Sequence, residues 1–362
     1  MNIHIHNAVL NNLLIELSHC PENKQIQLFQ EYANKLPKFV IKQLREFLLE
    51  YHPFLSDELI DSFLKSNSFS KTKLKDNLVD KLEYSLNLSL LRSKAKKDES
   101  KKIIVFCQPK SGSTFLTNLI AKTLNLSVQN LNTFAYFPTN FGINGREQEL
   151  CELSLIKSIF RASKTGGFIA QHHTRANLYL IKEINYYNLK TIILTRNVFD
   201  SLVSKDDFIV EKHQHAKEKN YSNLKINGAE IIPQNYIELS SEDRLDFLTK
   251  SYGIWYVQFY LSWKRLSEKI KNSVCWINYE NSILNKKNFE KNISKYLNLN
   301  DVELFELSKT FDNPESIFTR FNKGKSGRGN RINTESKKFL KDYASSFKEL
   351  DEIDFVNLFG VE

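Results

Sequence analysis

The chain has 362 residues, enough for one large domain with an appendage or for two ordinary domains at roughly 150 residues each. Lys plus Arg number 51 against 42 Asp plus Glu, a formal charge of +9 that suits anionic ligands, yet the excess is spread along the chain and argues against a nucleic-acid partner. Four cysteines, Cys20, Cys107, Cys151 and Cys275, form no CxxC pair, which argues against a metal or redox framework and fits reduced thiols in a cytoplasmic protein.

The N-terminus, MNIHIHNAVLNNLL, lacks the basic start of a signal peptide, and no later run reaches the ~20 apolar residues of a membrane span. Residues 1–92 carry helical periodicity, with Val9, Leu10, Leu13, Leu14 and Leu17 in one stripe and Val40, Leu44, Phe47 and Leu48 in another. Pro21, Pro37 and Pro53 divide this stretch into short helices, and without a catalytic motif it reads as a surface for packing, self-association or a partner. The charged segment SKAKKDESKK, residues 93–102, marks a boundary, giving a helical region over 1–98 and a second domain over 99–362.

Beyond the boundary, short apolar strands alternate with helical patterns. KIIVFC, GGFIAQ (166–171), KTIILT (190–195) and SVCWIN (273–278) are continuous apolar runs between polar turns. Strands buried on both faces read this way, so the fold class is α/β with a parallel sheet flanked by helices. Residues 206–242 are polar without regular apolar spacing and read as a long surface excursion. His4 with His6 and His213 with His215 have HxH spacing, but no Cys or carboxylate accompanies them in a ligand pattern, so no metal site is expected.

The first strand runs into QPKSGST and then into the helical pattern FLTNLIAKTL. A strand, a short glycine loop and a helix start form a phosphate cradle, because backbone N–H groups and the positive end of the helix dipole face the anion. Gly112 permits the tight turn, while Ser113 and Thr114 supply hydroxyls that serve either a ligand or the helix cap. A Walker A loop requires lysine directly after its second glycine, whereas Lys110 stands two residues before Gly112. That order disfavours a nucleotide triphosphatase.

PKSGST, residues 109–114, resembles the 5′-phosphosulfate loop PKSGTTW of the sulfotransferases that use 3′-phosphoadenosine 5′-phosphosulfate (PAPS), with Ser113 in place of Thr and Phe115 in place of Trp. TIILTRNVFDSLVS, residues 191–204, resembles the family's 3′-phosphate segment at Arg196, Asn197, Asp200, Val203 and Ser204. RFNKGKSGRGNRI, residues 320–332, resembles its RKGxxGDW loop at Lys323, Gly324 and Gly327, and departs from it at Asn322, Arg328 and Gly329. SYGIWY (251–256) and INYEN (277–281) resemble two further family segments, the second placing Tyr279 near the adenine.

The resemblance covers roughly residues 102–345 and implies a P-loop-like sulfotransferase fold that takes PAPS as co-substrate, releases adenosine 3′,5′-bisphosphate (PAP), and needs no metal. It implies that Lys110, Ser111, Gly112, Ser113, Thr114 and Phe115 cradle the 5′ group, and that Arg196, Ser204, Lys323, Gly324 and Lys325 hold the 3′-phosphate. Lys110 would also act on the leaving oxygen. The family's base is a histidine after the second strand, and GGFIAQHHTRAN offers His173, favoured by its spacing from Arg196, or His172. The acceptor would be a small molecule, glycan or lipid. Two other classes stay open: a kinase-like enzyme cradling ATP, and a non-catalytic nucleotide-binding scaffold.

Overall fold

The computed structural model describes residues 91–92, 94–129, 131, 150, 152–163, 165–218, 232–233, 235–318 and 326–360. The chain divides into two compact units, Met1–Lys97 and Asp98–Glu362. Nearly all of the first, and with it the helical stripes expected between residues 9 and 48, lies outside the described residues.

The second unit is built on five strands: β1 (Lys101–Cys107), β2 (Ser127–Gln129), β3 (Gly167–His172), β4 (Lys190–Thr195) and β5 (Val274–Asn278). They form one all-parallel sheet in the order β2-β3-β1-β4-β5. Nine helices of eight or more residues are described: α1 (Ser113–Thr123), α2 (Glu152–Ala162), α3 (Leu178–Tyr186), α4 (Val198–Glu218), α5 (Ser241–Leu266), α6 (Lys286–Leu297), α7 (Asp301–Asp312), α8 (Thr334–Ser345) and α9 (Glu352–Phe359). The architecture is that of an α/β domain, a parallel sheet flanked by helices, consistent with a P-loop-like fold. No helix among the described residues is long and apolar enough to cross a membrane.

The β1 sequence explains why both faces are covered. Ile103, Val105 and Cys107 point to one side and pack with Leu116 and Leu119 of α1, Phe289 and Ile293 of α6, and Leu307 of α7. On the alternate positions Ile104 and Phe106 are equally buried, and the Phe106 ring lies 4.4 Å from that of Trp263 on α5, centroid to centroid. Successive side chains alternate in direction along a strand, so a continuous apolar run is required wherever both faces are buried. Each of the four expected strands is present to within a residue. The short edge strand β2, with only Val128 apolar among its three residues, carries no such run and has no comparable signal.

One expectation needs correction. The polar stretch from Asp206 onward continues α4 as far as Glu218, and the chain is helical again from Ser241. Its polarity is directed inward: the buried Asp206 carboxylate accepts from the Tyr236 hydroxyl at 2.8 Å and from Arg244 Nε at 2.9 Å. A polar residue satisfied by internal partners looks like a loop residue when only the sequence is read.

The strands flanking β1 in space are β3 and β4, which follow it in sequence on opposite sides. Chain order therefore reverses at β1, and in open parallel sheets the crevice beyond the carboxyl ends of the strands at such a reversal is where ligands bind. The loop after β1 opens there.

Where β3 begins, two adjacent glycines predict different outcomes. Both have positive φ, 84° at Gly166 and 140° at Gly167. A Cβ on Gly167 would stand 2.1 Å from the Lys101 carbonyl oxygen of β1, whereas one on Gly166 would meet nothing within 4 Å. Gly166→Ala should cost about 1–2 kcal/mol, the usual penalty of a left-handed alanine, and Gly167→Ala several kcal/mol because backbone must move. Urea unfolding of the two variants measures the difference; equal losses would contradict this account of the β1–β3 contact.

Candidate anion-binding and catalytic site

β1 ends at Cys107 and the chain turns through Gln108–Gly112 into α1. Lys110 has φ 66° and Gly112 has φ 85°, so two residues of this short loop lie in the left-handed region. Gly112 is the N-cap of α1, and no side chain caps the helix. Its first-turn amides therefore present the positive end of the helix without an acceptor from a side-chain cap, the feature that makes a helix start receptive to anions. A side chain at position 112 would also collide, since a Cβ there would stand 3.0 Å from Tyr279 Cε2.

The expected ligands divide once the geometry is seen. Ser113 and Thr114 lie in the open first turn. The Ser111 hydroxyl donates to the Gln108 carbonyl at 2.6 Å and so closes the turn. Phe115 is a core residue, edge-on to Phe311 at 5.6 Å between centroids. The Lys110 ammonium lies 4.3 Å above the ring of Phe208 on α4.

Arg196, the first residue after β4, braces the loop. Its backbone N–H donates to Gln108 Oε1 at 2.9 Å, and its Nη1 donates to the Lys110 carbonyl at 3.0 Å. Its guanidinium lies 4.4 Å above the Tyr279 ring, and its Nε is 3.8 Å from Glu280 Oε1. Tyr279 is thus packed between Gly112 and Arg196 at the end of β5. Burial pushes the Glu280 carboxyl up from its ordinary range, opposed by hydrogen bonds from its own and the Asn197 backbone N–H and by the Arg196 charge. Gln108 is fully buried and also donates from Nε2 to the Tyr256 carbonyl at 3.3 Å, while the Tyr256 hydroxyl donates to the Pro109 carbonyl at 3.0 Å. Gln108, Glu280 and Tyr256 had no assigned role in the sequence reading, although each stands inside a motif it singled out.

The two histidines differ sharply. His173 Nδ1 is 2.7 Å from the Cys107 carbonyl oxygen and so carries the proton that it donates there. Nε2 is left as the basic nitrogen, on a ring held at the β1 end from which the loop departs. His172 is the last residue of β3; its Nδ1 pairs with the Thr174 hydroxyl, and its Nε2 is buried with no hydrogen-bond partner. Burial pushes His172 down to about 4 from 6.5.

Ser204 is buried on α4 and lies on one stripe with Asp200 and Asp207, at i, i+4 and i+7. Asp200 accepts from the backbone N–H of Gly327 at 2.9 Å and of Gly329 at 2.6 Å. Asp207 pairs with Arg328 and, at 3.2 Å, with Arg331. The second and third sequence blocks are therefore joined by Asp200, and Asp207, three residues past the second block, adds to the contact. Lys323, Gly324 and Lys325 lie outside the described residues.

No protein-family model matches the sequence, and neither does any curated protein. Chemical assignment accordingly rests on the site itself. Uncapped helix amides, Lys110 and Arg196 gather at one end of the sheet, with the Glu280 carboxylate against the Arg196 guanidinium, a donor set that suits a phosphate or phosphosulfate group.

His172 predicts how the fold responds to acid. Its folded-state value lies below the unfolded one, so its contribution to stability is fully present above about pH 6.5 and is lost as the pH falls toward 4. Between pH 7 and pH 4.5 the wild-type protein should lose about 2–3 kcal/mol more than His172→Phe, which cannot titrate. Urea unfolding at the two pH values checks this, and parallel losses would show that His172 is not buried neutral.

Proposed function

We propose that this protein is a PAPS-dependent sulfotransferase, moving the sulfuryl group of PAPS to a hydroxyl or amine of a small-molecule, glycan or lipid acceptor and releasing PAP. The observation that carries this reading is the His173 ring, whose Nδ1–H is fixed on the Cys107 carbonyl at the foot of an uncapped, cationic helix-start loop. A base with its acceptor nitrogen defined stands next to a cradle for the group to be attacked. Strand order and the reversal at β1 support the same placement.

PAPS supplies an electrophilic sulfur joined to a good leaving phosphate. The acceptor oxygen or nitrogen forms its bond to sulfur as the bond from sulfur to the bridging oxygen breaks, and that electron pair stays with the 5′-phosphate. His173 Nε2 takes the proton from the acceptor. Lys110 balances the charge growing on the bridging oxygen. In the structure its ammonium rests over Phe208, a contact worth about 0.5–1 kcal/mol at such sites. Ser113, Thr114 and the α1 amides hold the 5′ group. Arg196 and Ser204 are the proposed 3′-phosphate contacts, with the 323–325 segment completing the set.

Variants at the two ends of the displacement test this. With PAPS and a panel of acceptors, mass spectrometry should detect an added sulfate. His173→Ala should keep PAP binding while turnover falls by about two to four orders of magnitude. Lys110→Ala should lose both turnover and PAP affinity, since its ammonium meets the anion in the ground state too. Full activity in both variants would overturn the reading, and modification by ATP with Mg²⁺ instead of PAPS would replace it with the kinase class.

A further inference from the structure

The proposed 3′-phosphate contact poses an electrostatic problem. Ser204 stands on α4 between two carboxylates on the same stripe, Asp200 one turn before it and Asp207 one turn after. A phosphate monoester placed there brings close to two negative charges toward two more. Asp200 is already committed to the backbone N–H groups of Gly327 and Gly329, and its place is fixed, because a Cβ on Gly329 would lie 2.5 Å from Phe199 Cβ. Asp207 is different. Its partners are the side chains of Arg328 and Arg331, which extend from the segment that Asp200 anchors.

Two guanidiniums converging on one carboxylate make the geometry that also receives a phosphate, since both anions offer oxygens to the same planar donors. The Arg328 side chain is 12% exposed and that of Asp207 is 21% exposed, so the pair is only partly screened by water. Arg331 adds a hydrogen bond of 3.0 Å to the Ser241 hydroxyl and lies 3.9 Å from Asp206. Asp206 is itself taken up by Tyr236 and Arg244. The fork is thus assembled, aimed at the α4 stripe that carries Ser204, and filled by a residue of the same chain.

We propose that Asp207 is an internal substitute for the ligand's phosphate monoester: it occupies the Arg328 and Arg331 fork in the empty site and yields it when the nucleotide binds. This rests on the sulfotransferase reading and adds to it the residues that set affinity for the 3′-phosphate. Arg328 stands where the resembling loop pattern has an acidic residue, so this fork belongs to the present chain. Competition between the carboxylate and the ligand lowers affinity and leaves Arg328 and Arg331 partnered in its absence. The side-chain exchange requires no change of fold.

Calorimetric titration with PAP and with 5′-AMP, which lacks the 3′-phosphate, tests the exchange. Asp207→Asn removes the competing charge and should bind PAP at least about threefold more tightly than wild type, with 5′-AMP unchanged. Arg328→Gln should weaken PAP and leave 5′-AMP unaffected. PAP affinity unchanged or reduced in Asp207→Asn would overturn the exchange and leave Asp207 a loop anchor, with the sulfotransferase reading intact. No PAP binding by the wild-type protein would remove that reading and this inference together. A structure of the wild-type protein with PAP decides independently of any variant: Arg328 on the phosphate supports the exchange, and Arg328 still on Asp207 with the phosphate elsewhere refutes it.

Discussion

The site depends on one residue holding a loop at two points. Arg196 reaches the β1 loop through its backbone N–H, on Gln108 Oε1, and through its guanidinium, on the Lys110 carbonyl. The loop contains a lysine in the left-handed region, a conformation that costs a non-glycine residue roughly 1–2 kcal/mol, so something outside the loop must hold it. Arg196 supplies that hold from β4, the strand next to β1, with Gln108 wholly buried beneath it and Tyr279 packed between its guanidinium and Gly112. Arg196 is therefore a strut as well as a proposed phosphate ligand. Its removal should disturb the 5′ cradle along with the 3′ contact.

The same economy runs through the other charged groups. Lys110 lies over Phe208, Arg196 faces Glu280 at 3.8 Å, and Arg328 and Arg331 share Asp207. Unmatched cations gathered in a partly buried crevice would repel one another and carry desolvation costs. Each is met by an aromatic face or a carboxylate, weak or exchangeable partners that hold the donors in place. On the proposed reading, an entering anion would meet donors already held in place, with most of the ordering complete before it arrives. His173 follows the same logic, with its tautomer set by the backbone carbonyl of Cys107.

Much of this was legible in the sequence because the signals are local. The four apolar runs reveal strands buried on both faces, and PKSGST between a strand and a helical pattern reveals the strand–loop–helix turn. The burial of Cys107 and Cys275 follows from those runs as well. What sequence leaves open depends on partners far along the chain. Nothing local to Asp207 announces that Arg328 and Arg331 will reach it, and nothing local to Gln108 shows that it will accept from Arg196. Strand geometry separates His172 from His173: neighbouring side chains leave a strand in opposite directions, and of these two buried rings one meets the Cys107 carbonyl and the other lies 6.4 Å from Phe106. The inward polarity of Asp206 and Tyr236 misled for the same reason, since a polar residue carries no mark of where its partner lies.

The central claim is that this crevice recognises a nucleotide by its 5′ and 3′ anionic groups together. Thermal unfolding in the presence of added nucleotide tests it most directly, because a ligand that binds only the folded state raises the melting temperature, and at one concentration the tighter ligand raises it more. The account predicts a clear rise with PAP, a smaller one with 5′-AMP at the same concentration, and little further effect from adding Mg²⁺. A rise confined to ATP with Mg²⁺, or none with PAP at millimolar concentration, would contradict it.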